Sequence, residues 1–159
     1  LPVDDFIRIS QEKRAAGDFI MHRENGTLVD LNLERERAVG RMKATVTQRF
    51  SIQGCDVDVE CDCRVVFFVT KQHDGWKARY SKVLYEKDKI IPVDGKSVPD
   101  IDADSLRQFS AGYRYLAWAQ AQLGHQIPQD LPTLNNEGFE KMNAAMDAWL
   151  EGDDVDIFW

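Results

Sequence analysis

The chain has 159 residues, 43% of them hydrophobic and 30% charged, with a net charge of −7. That is one domain with a core of its own, and a core of that size needs neither disulfides nor a structural metal. Lys and Arg are interleaved with Asp and Glu instead of forming a basic patch, which argues against nucleic acid as a partner. No apolar run approaches the roughly 20 residues that span a bilayer, so no membrane partner is expected.

The chain opens Leu1-Pro2-Val3, with no signal-like pattern and no initiator Met. The expectation is a soluble, cytoplasmic protein whose native N-terminal segment is missing. Residues 3 to 16 place Val3, Phe6, Ile7 and Ile9 among polar residues and stop at Gly17, the pattern of a short amphipathic helix. Asn25-Gly26 then reads as a turn, and the alternation of Val29, Leu31 and Leu33 with Asp30 and Asn32 as a first strand. Glu34 to Arg37 is a polar link.

From Ala38 to Ile52 apolar residues hold the even positions, and after Gln53-Gly54 they hold the odd ones, from Val57 to Val69. That inversion is what a two-residue hairpin loop requires. The implied pairing sets Phe50, Val46, Ala44 and Met42 against Val57, Cys61, Cys63 and Val65 on an apolar face. The other face pairs Arg49 with Asp58, Thr47 with Glu60, Thr45 with Asp62, Lys43 with Arg64 and Arg41 with Val66. Complementary pairs of this kind contribute about 0.2–1 kcal/mol each, and two facing cations oppose them. Lys43 opposite Arg64 therefore calls for an anion, either Asp62 or a substrate oxygen.

His73-Asp74-Gly75 turns the chain into a third long strand, Trp76 to Asp88, whose pattern slips near Ser81-Lys82 and predicts a bulge there. Tyr85 then falls near Arg64 on the polar face. After a loop marked by Pro92, Gly95 and Pro99, Asp102 or Asp104 can cap a helix reaching Leu123. Its stripe is Leu106, Phe109, Tyr113, Leu116, Gln120 and Leu123. A second helix, opened by Asn135 or Asn136 and closed by Gly152, carries Phe139, Met142, Met146, Trp149 and Leu150. Both helices are expected to cover the apolar sheet face, and the Ile157-Phe158-Trp159 tail to dock on its own domain or on a partner.

Cys61 and Cys63 would lie on one strand face about 7 Å apart, too far for an easy bridge. With Cys55 they make an odd number, so buried, inert thiols in a reducing compartment are expected. His22, His73 and His125 have no ligand-like spacing, and no phosphate-cradling glycine loop, serine elbow or dinucleotide fingerprint is present. Neither a metal nor a cofactor is expected.

The order of Phe19-Ile20-Met21-His22, a strand, a polar link, and a meander with Gln48-Arg49-Phe50, His73-Asp74-Gly75-Trp76-Lys77 and Tyr85-Glu86-Lys87-Asp88 resembles one family. It is the SnoaL-like branch of the nuclear transport factor 2-like superfamily, which includes scytalone dehydratase, ketosteroid isomerases and polyketide cyclases. The resemblance covers residues 1–95; residues 96–159 read as a helical extension with a tail that packs on the same domain. It implies an α+β fold, a cone-shaped, curved antiparallel or mixed sheet around packed helices, here with a C-terminal two-helix extension. It also implies a ligand cavity, frequent homodimers, and opening helices that this chain lacks.

Through the resemblance, His22 matches a catalytic histidine of scytalone dehydratase. The second histidine of that enzyme falls near Thr47 or Gln48, neither of which is a general base. The family's inward polar pair falls on Arg64 and Val66, which makes the polar face the inner one. The expected function is cofactor-independent lyase, isomerase or cyclase chemistry on a small apolar metabolite of polyketide or terpenoid type. His22 would shuttle the proton, because imidazoles exchange protons near neutrality. Arg64, Lys43 and Tyr85 would hold negative charge on oxygen, with Arg41, Thr45, Thr47, Asp62, Val66 and Phe68 lining the substrate. The alternative is a non-catalytic module of the same fold that binds a small ligand or dimerises.

Overall fold

The computed structural model describes residues 3–159, with side chains from residue 7 onward. The Leu1-Pro2 opening and the side chains of Val3 and Phe6, half of the expected stripe on the first helix, lie outside the described residues. The chain is α+β. Helix α1 (Val3–Ala15) precedes strands β1 (Ile20–Asn32), β2 (Arg37–Ile52), β3 (Cys55–Gln72) and β4 (Gly75–Pro92). Helices α2 (Ala103–Arg107), α3 (Arg114–Gln122) and α4 (Glu137–Glu151) follow. The strands form one antiparallel sheet in the order β1-β2-β3-β4.

The β2–β3 hairpin has the expected register from end to end: Phe50 faces Val57, Lys43 faces Arg64, and the ladder runs unbroken from Ile52–Cys55 to Arg37–Thr70. Gln53 and Gly54 both have positive φ, 53° and 74°, which is the backbone a two-residue type I′ turn demands. Because no residue is inserted along this ladder, side-chain parity assigns each residue of β2 and β3 to one of two faces throughout.

Two expectations about the flanking strands need correction. Asn25-Gly26 is not a turn before β1 but a bulge inside it, since pairing resumes at Thr27 after Glu24 and Gly26 takes φ 116°. The irregularity of β4 is not at Ser81-Lys82 but doubled around it. Arg79 and Glu86 are each skipped in the pairing with β3. Two bulges on either side produce a parity slip whose midpoint contains neither.

The C-terminal helices also differ from the expected pair. Asp102 caps α2 as expected, its carboxylate accepting from Ser105 N at 2.8 Å, but the helix does not run on to Leu123. It breaks before Gly112, where the chain passes so close to β4 and the next loop that a Cβ would meet Thr133 Cγ2 at 2.9 Å and the Tyr85 carbonyl at 3.0 Å. A new helix, α3, starts at Arg114. Its buried residues are Ala117, Trp118 and Ala119, whereas Leu123 of the expected stripe is exposed.

The helices do not share one sheet face. Trp118 and Ala119 of α3 pack on Phe50, Ile52, Val57 and Val59, the apolar face at the hairpin end. Met142, Ala145, Met146 and Trp149 of α4 pack on Val39, Val66 and Phe68, which lie on the other face at the far end. Apolar residues on the otherwise polar face switch the buried side along the length of the hairpin. Ile157 joins the α4 cluster, and Lys82 Nζ donates to the carbonyls of Ile157 (2.6 Å) and Trp159, so the tail docks on its own domain.

Trp149 is the hub of that cluster. Its indole Nε1 donates to the carbonyls of Ala38 (3.1 Å) and Val69 (3.2 Å). Its ring meets Phe68 and Tyr80 edge-on at centroid distances of 5.8 and 5.9 Å, with the Arg37 guanidinium 3.9 Å above it. Trp149→Ala is expected to lower unfolding free energy by about 3–5 kcal/mol in urea titrations. Phe158→Ala, at an exposed ring of the same tail, should change it by less than ~0.5 kcal/mol.

Candidate functional site

A cavity of about 860 Å³ lies over the apolar face of the sheet, with α1 and α3 as its other walls. Strand parity determines which side chains enter it. His22 pairs with Val46, Val46 with Cys61 and Ala44 with Cys63, and Cys63 pairs across with Tyr85, so all of these face one way. The floor is built from Val46, Gln48, Cys61, Cys63, Val83 and Tyr85. Ile20 and His22 of β1 form one side, Leu116 and Gln120 of α3 another, and Ile9, Ser10, Lys13 and Arg14 of α1 the rim.

Few polar groups reach the interior. Tyr85 is largely buried against Tyr113, ring centroids 5.2 Å apart, and burial pushes its hydroxyl up to about 12, so it is a neutral donor at any physiological pH. Gln48 is 8% exposed, and its Oε1 accepts from Gln120 Nε2 at 3.4 Å. The thiols of Cys61 and Cys63 are free. Burial raises both, Cys63 to about 11, so they behave as small apolar groups rather than nucleophiles.

The expected site residues are divided between two faces. His22 and Tyr85 share the cavity. Arg41, Lys43, Thr45, Thr47, Asp62, Arg64, Val66 and Phe68 belong by parity to the opposite face, so the polar face is not the one lining this cavity. Val66 and Phe68 are core beneath α4. Thr45 and Asp62 line a smaller hollow of about 300 Å³ with Arg23, Glu60, Lys87, Asp88 and Lys89. Tyr85 is not near Arg64 on the polar face, because the bulge at Glu86 comes after it and not before.

The anion called for by Lys43 and Arg64 is Glu86. Skipped in the ladder, it reaches across with Oε1 2.6 Å from Arg64 Nε and Oε2 3.7 Å from Lys43 Nζ, and its side chain is 10% exposed. Asp62 is engaged elsewhere, accepting from Thr45 Oγ1 at 2.6 Å with Lys87 Nζ at 3.4 Å. The Thr45 hydrogen bond first, and Lys87 next, hold its carboxyl below the usual range. Arg49 binds Asp58 through two bonds of 2.8 and 2.9 Å, and Glu60 meets Arg23 at 2.8 Å and Lys89 at 3.1 Å. The charged face is internally neutralised.

Glu86 and Asp88, at a strand end among Lys87 and Lys89, are expected from the sequence to face solvent; the structure instead withdraws both carboxylates from it. Glu86 carries no signal in the sequence beyond a slipped alternation. Asp88 accepts from Leu116 N at 2.8 Å and so caps α3 from a neighbouring strand, supplying what Tyr113 at the N-cap position does not. Burial pushes its carboxyl up to about 6, against the backbone N–H groups of Leu116 and Tyr115.

Glu86→Gln removes the charge shared by two half-exposed cations and is expected to cost about 1–2 kcal/mol in denaturant titration, with Arg64→Gln in the same background adding little further. Asp88 is raised in the folded state, so the unfolded chain releases its proton first. Its ionisation costs stability progressively as pH rises from about 4 to about 6 and the cost is constant above that. Asp88→Asn keeps an acceptor for Leu116 N without the charge. The stability of the variant relative to wild type should therefore climb between pH 4 and 6 and level off beyond it, read by urea unfolding at fixed pH values.

No family model matches the chain. It is 40% identical to Pea pathogenicity protein 2 of Fusarium vanettenii, over 96% of this chain and 69% of that protein. A PEP2-like protein of the same fungus is also 40% identical, over 99% of this chain and 71% of the relative. An uncharacterized protein of Emericella nidulans is 39% identical over 96% and 70%. At that identity and coverage the chain belongs to the family of Pea pathogenicity protein 2 and the PEP2-like proteins.

Proposed function

We propose that the protein takes a small, largely apolar metabolite of polyketide or terpenoid type into the cavity between α1, α3 and the sheet. There it performs cofactor-independent lyase, isomerase or cyclase chemistry, with His22 moving the proton and the Tyr85 hydroxyl supporting charge on the substrate oxygen. The observation that carries this reading is the meeting of His22 and Tyr85 in one mainly apolar cavity of about 860 Å³, the size range of small-molecule sites. Arg64 and Lys43 have no part in it, since both are engaged with Glu86 on the other face.

The same proposal includes the SnoaL-like cone, with α2 to α4 as its C-terminal extension, and a cytoplasmic homodimer. In support of a second copy, β1 presents Leu28, Val29 and Leu31 to solvent at the free edge of the sheet.

A second reading has an observation of its own. The floor residues Val46, Gln48, Cys61, Cys63, Val83 and Tyr85 carry no charge, which suits a module that binds a neutral ligand without turning it over.

2-Tetralone, a bicyclic ketone with exchangeable α-protons, tests both. The protein is expected to accelerate deuterium exchange at those carbons, followed by proton NMR, and His22→Gln should reduce the acceleration by about 100-fold or more. Binding should persist in that variant and vanish in Val46→Trp, which fills the cavity. Equal exchange in His22→Gln and wild type would refute the catalytic role and leave the binding module.

A further inference from the structure

The cavity contains one polar side chain whose burial neither the fold nor the proposed chemistry accounts for. Gln48 points from β2 into the cavity floor and is 8% exposed. Its Oε1 takes a single long bond from Gln120 Nε2, 3.4 Å away across the gap between sheet and helix. Its own Nε2 has no hydrogen-bond partner among the described residues. A primary amide brings two donors and an acceptor, and Nε2 keeps access to the cavity, so both donors face whatever fills it and are open to a ligand that displaces water there.

Its neighbours make the placement more specific. The even positions beside it on β2, Val46 and Phe50, are apolar, as are Ile20, which pairs with it on β1, and Val59, which pairs with it on β3. Nothing in the β2–β3 ladder requires an amide there, because the backbone groups of Gln48 are satisfied by strand pairing. Gln120 fixes the amide plane and takes up the acceptor, which leaves the N–H edge as the free functional part. That edge complements a neutral oxygen, a carbonyl or ether-type acceptor. It offers no charge to a carboxylate or an amine.

We infer that Gln48, oriented by Gln120, is a ligand-binding residue that recognises a neutral carbonyl oxygen on an otherwise apolar ligand. The inference rests on the cavity being the ligand site, and it narrows the ligand to the ketone, quinone or lactone class. Gln48 touches the ligand; Gln120 is a positioning residue that acts through it. Tyr85, on the same floor, adds a second neutral donor.

Matched probes of equal size separate this from the cavity reading: 2-tetralone carries the carbonyl and tetralin lacks it. Affinities measured by ligand-observed NMR should favour 2-tetralone by about tenfold in the wild-type protein. Gln48→Leu and Gln48→Met, both close in volume, should cut that preference to below threefold while leaving tetralin binding unchanged or tighter. Gln120→Leu should produce a smaller loss of the same sign. In the wild-type protein, the side-chain amide resonances of Gln48 should shift with 2-tetralone and not with tetralin, a readout that depends on no variant folding. An undiminished preference in both Gln48 variants, or amide resonances that ignore the ketone, overturns the role of Gln48 while the cavity stands. If instead Val46→Trp leaves both probes bound as before, the cavity reading itself falls and this inference falls with it.

Discussion

The unbroken pairing of β2 with β3 is the constraint on which the rest of the structure depends. A ladder with no inserted residue, closed by the positive-φ pair Gln53-Gly54, commits every side chain of both strands to one of two faces. Val46, Gln48, Cys61 and Cys63 must then share the cavity floor, and Lys43, Thr45, Asp62 and Arg64 must share the other side. No movement of loops or helices can bring the two sets together. The separation of His22 from Arg64 follows from this parity alone.

The outer strands lack that regularity, and their departures distribute the chemistry. In β1 the extra residues at Asn25-Gly26 let His22 face the cavity while Val29 and Leu31 still pair with β2 beyond the bulge. In β4 the omission of Glu86 from the ladder leaves Tyr85 paired with Cys63 and Lys87 with Asp62. Tyr85 thereby stays on the cavity floor, while the Glu86 carboxylate reaches the two cations on the opposite side. Asp88, beyond the bulge, is free to cap α3 and fix the helix that supplies Leu116 and Gln120 to the cavity wall.

The extent to which this could be read from the sequence follows from how local each determinant is. The hairpin register depends on a turn dipeptide and a parity inversion, both written in consecutive residues, and it was legible in full. The closing of α4 at Gly152 was legible for the same reason, whereas the apolar tail announced that it docks and not where, since its partner Lys82 lies on a distant strand. The bulges were legible only as a disturbance, because a skipped residue shifts the pattern on both sides of itself, and two of them framed a midpoint that contains neither. The break between α2 and α3 was not legible at all, since its cause is the close approach of Gly112 to Thr133 and to the backbone of β4. The division of the helices between two faces was recorded in Val66 and Phe68, two apolar residues at polar-face positions. Their meaning required knowing that α4 reaches the far end of the sheet. Reading the charged face as the site followed from Lys43 and Arg64 facing each other; the partner that resolves the conflict lies one bulge away on another strand.

The two faces of the sheet therefore answer different electrostatic problems. On the solvent-facing charged side, high dielectric and dense pairing make each ion pair individually modest, and the face tolerates Arg64 beside Lys43 because Glu86 stands between them. On the cavity floor, burial keeps Tyr85 and the thiols of Cys61 and Cys63 in their neutral forms, and the remaining floor residues are uncharged, the charged Lys13 and Arg14 standing at the rim. Such a surface discriminates by whether a donor finds an acceptor, not by attraction between charges. The bulge at Glu86 maintains that division. Were the pairing of Tyr85 with Cys63 to run on unbroken, Glu86 would stand opposite Asp62, Lys87 would turn onto the cavity floor opposite Cys61, and Asp88 would leave α3 to face Glu60. One skipped residue in β4 thus keeps the cavity floor neutral and the opposite face balanced at the same time.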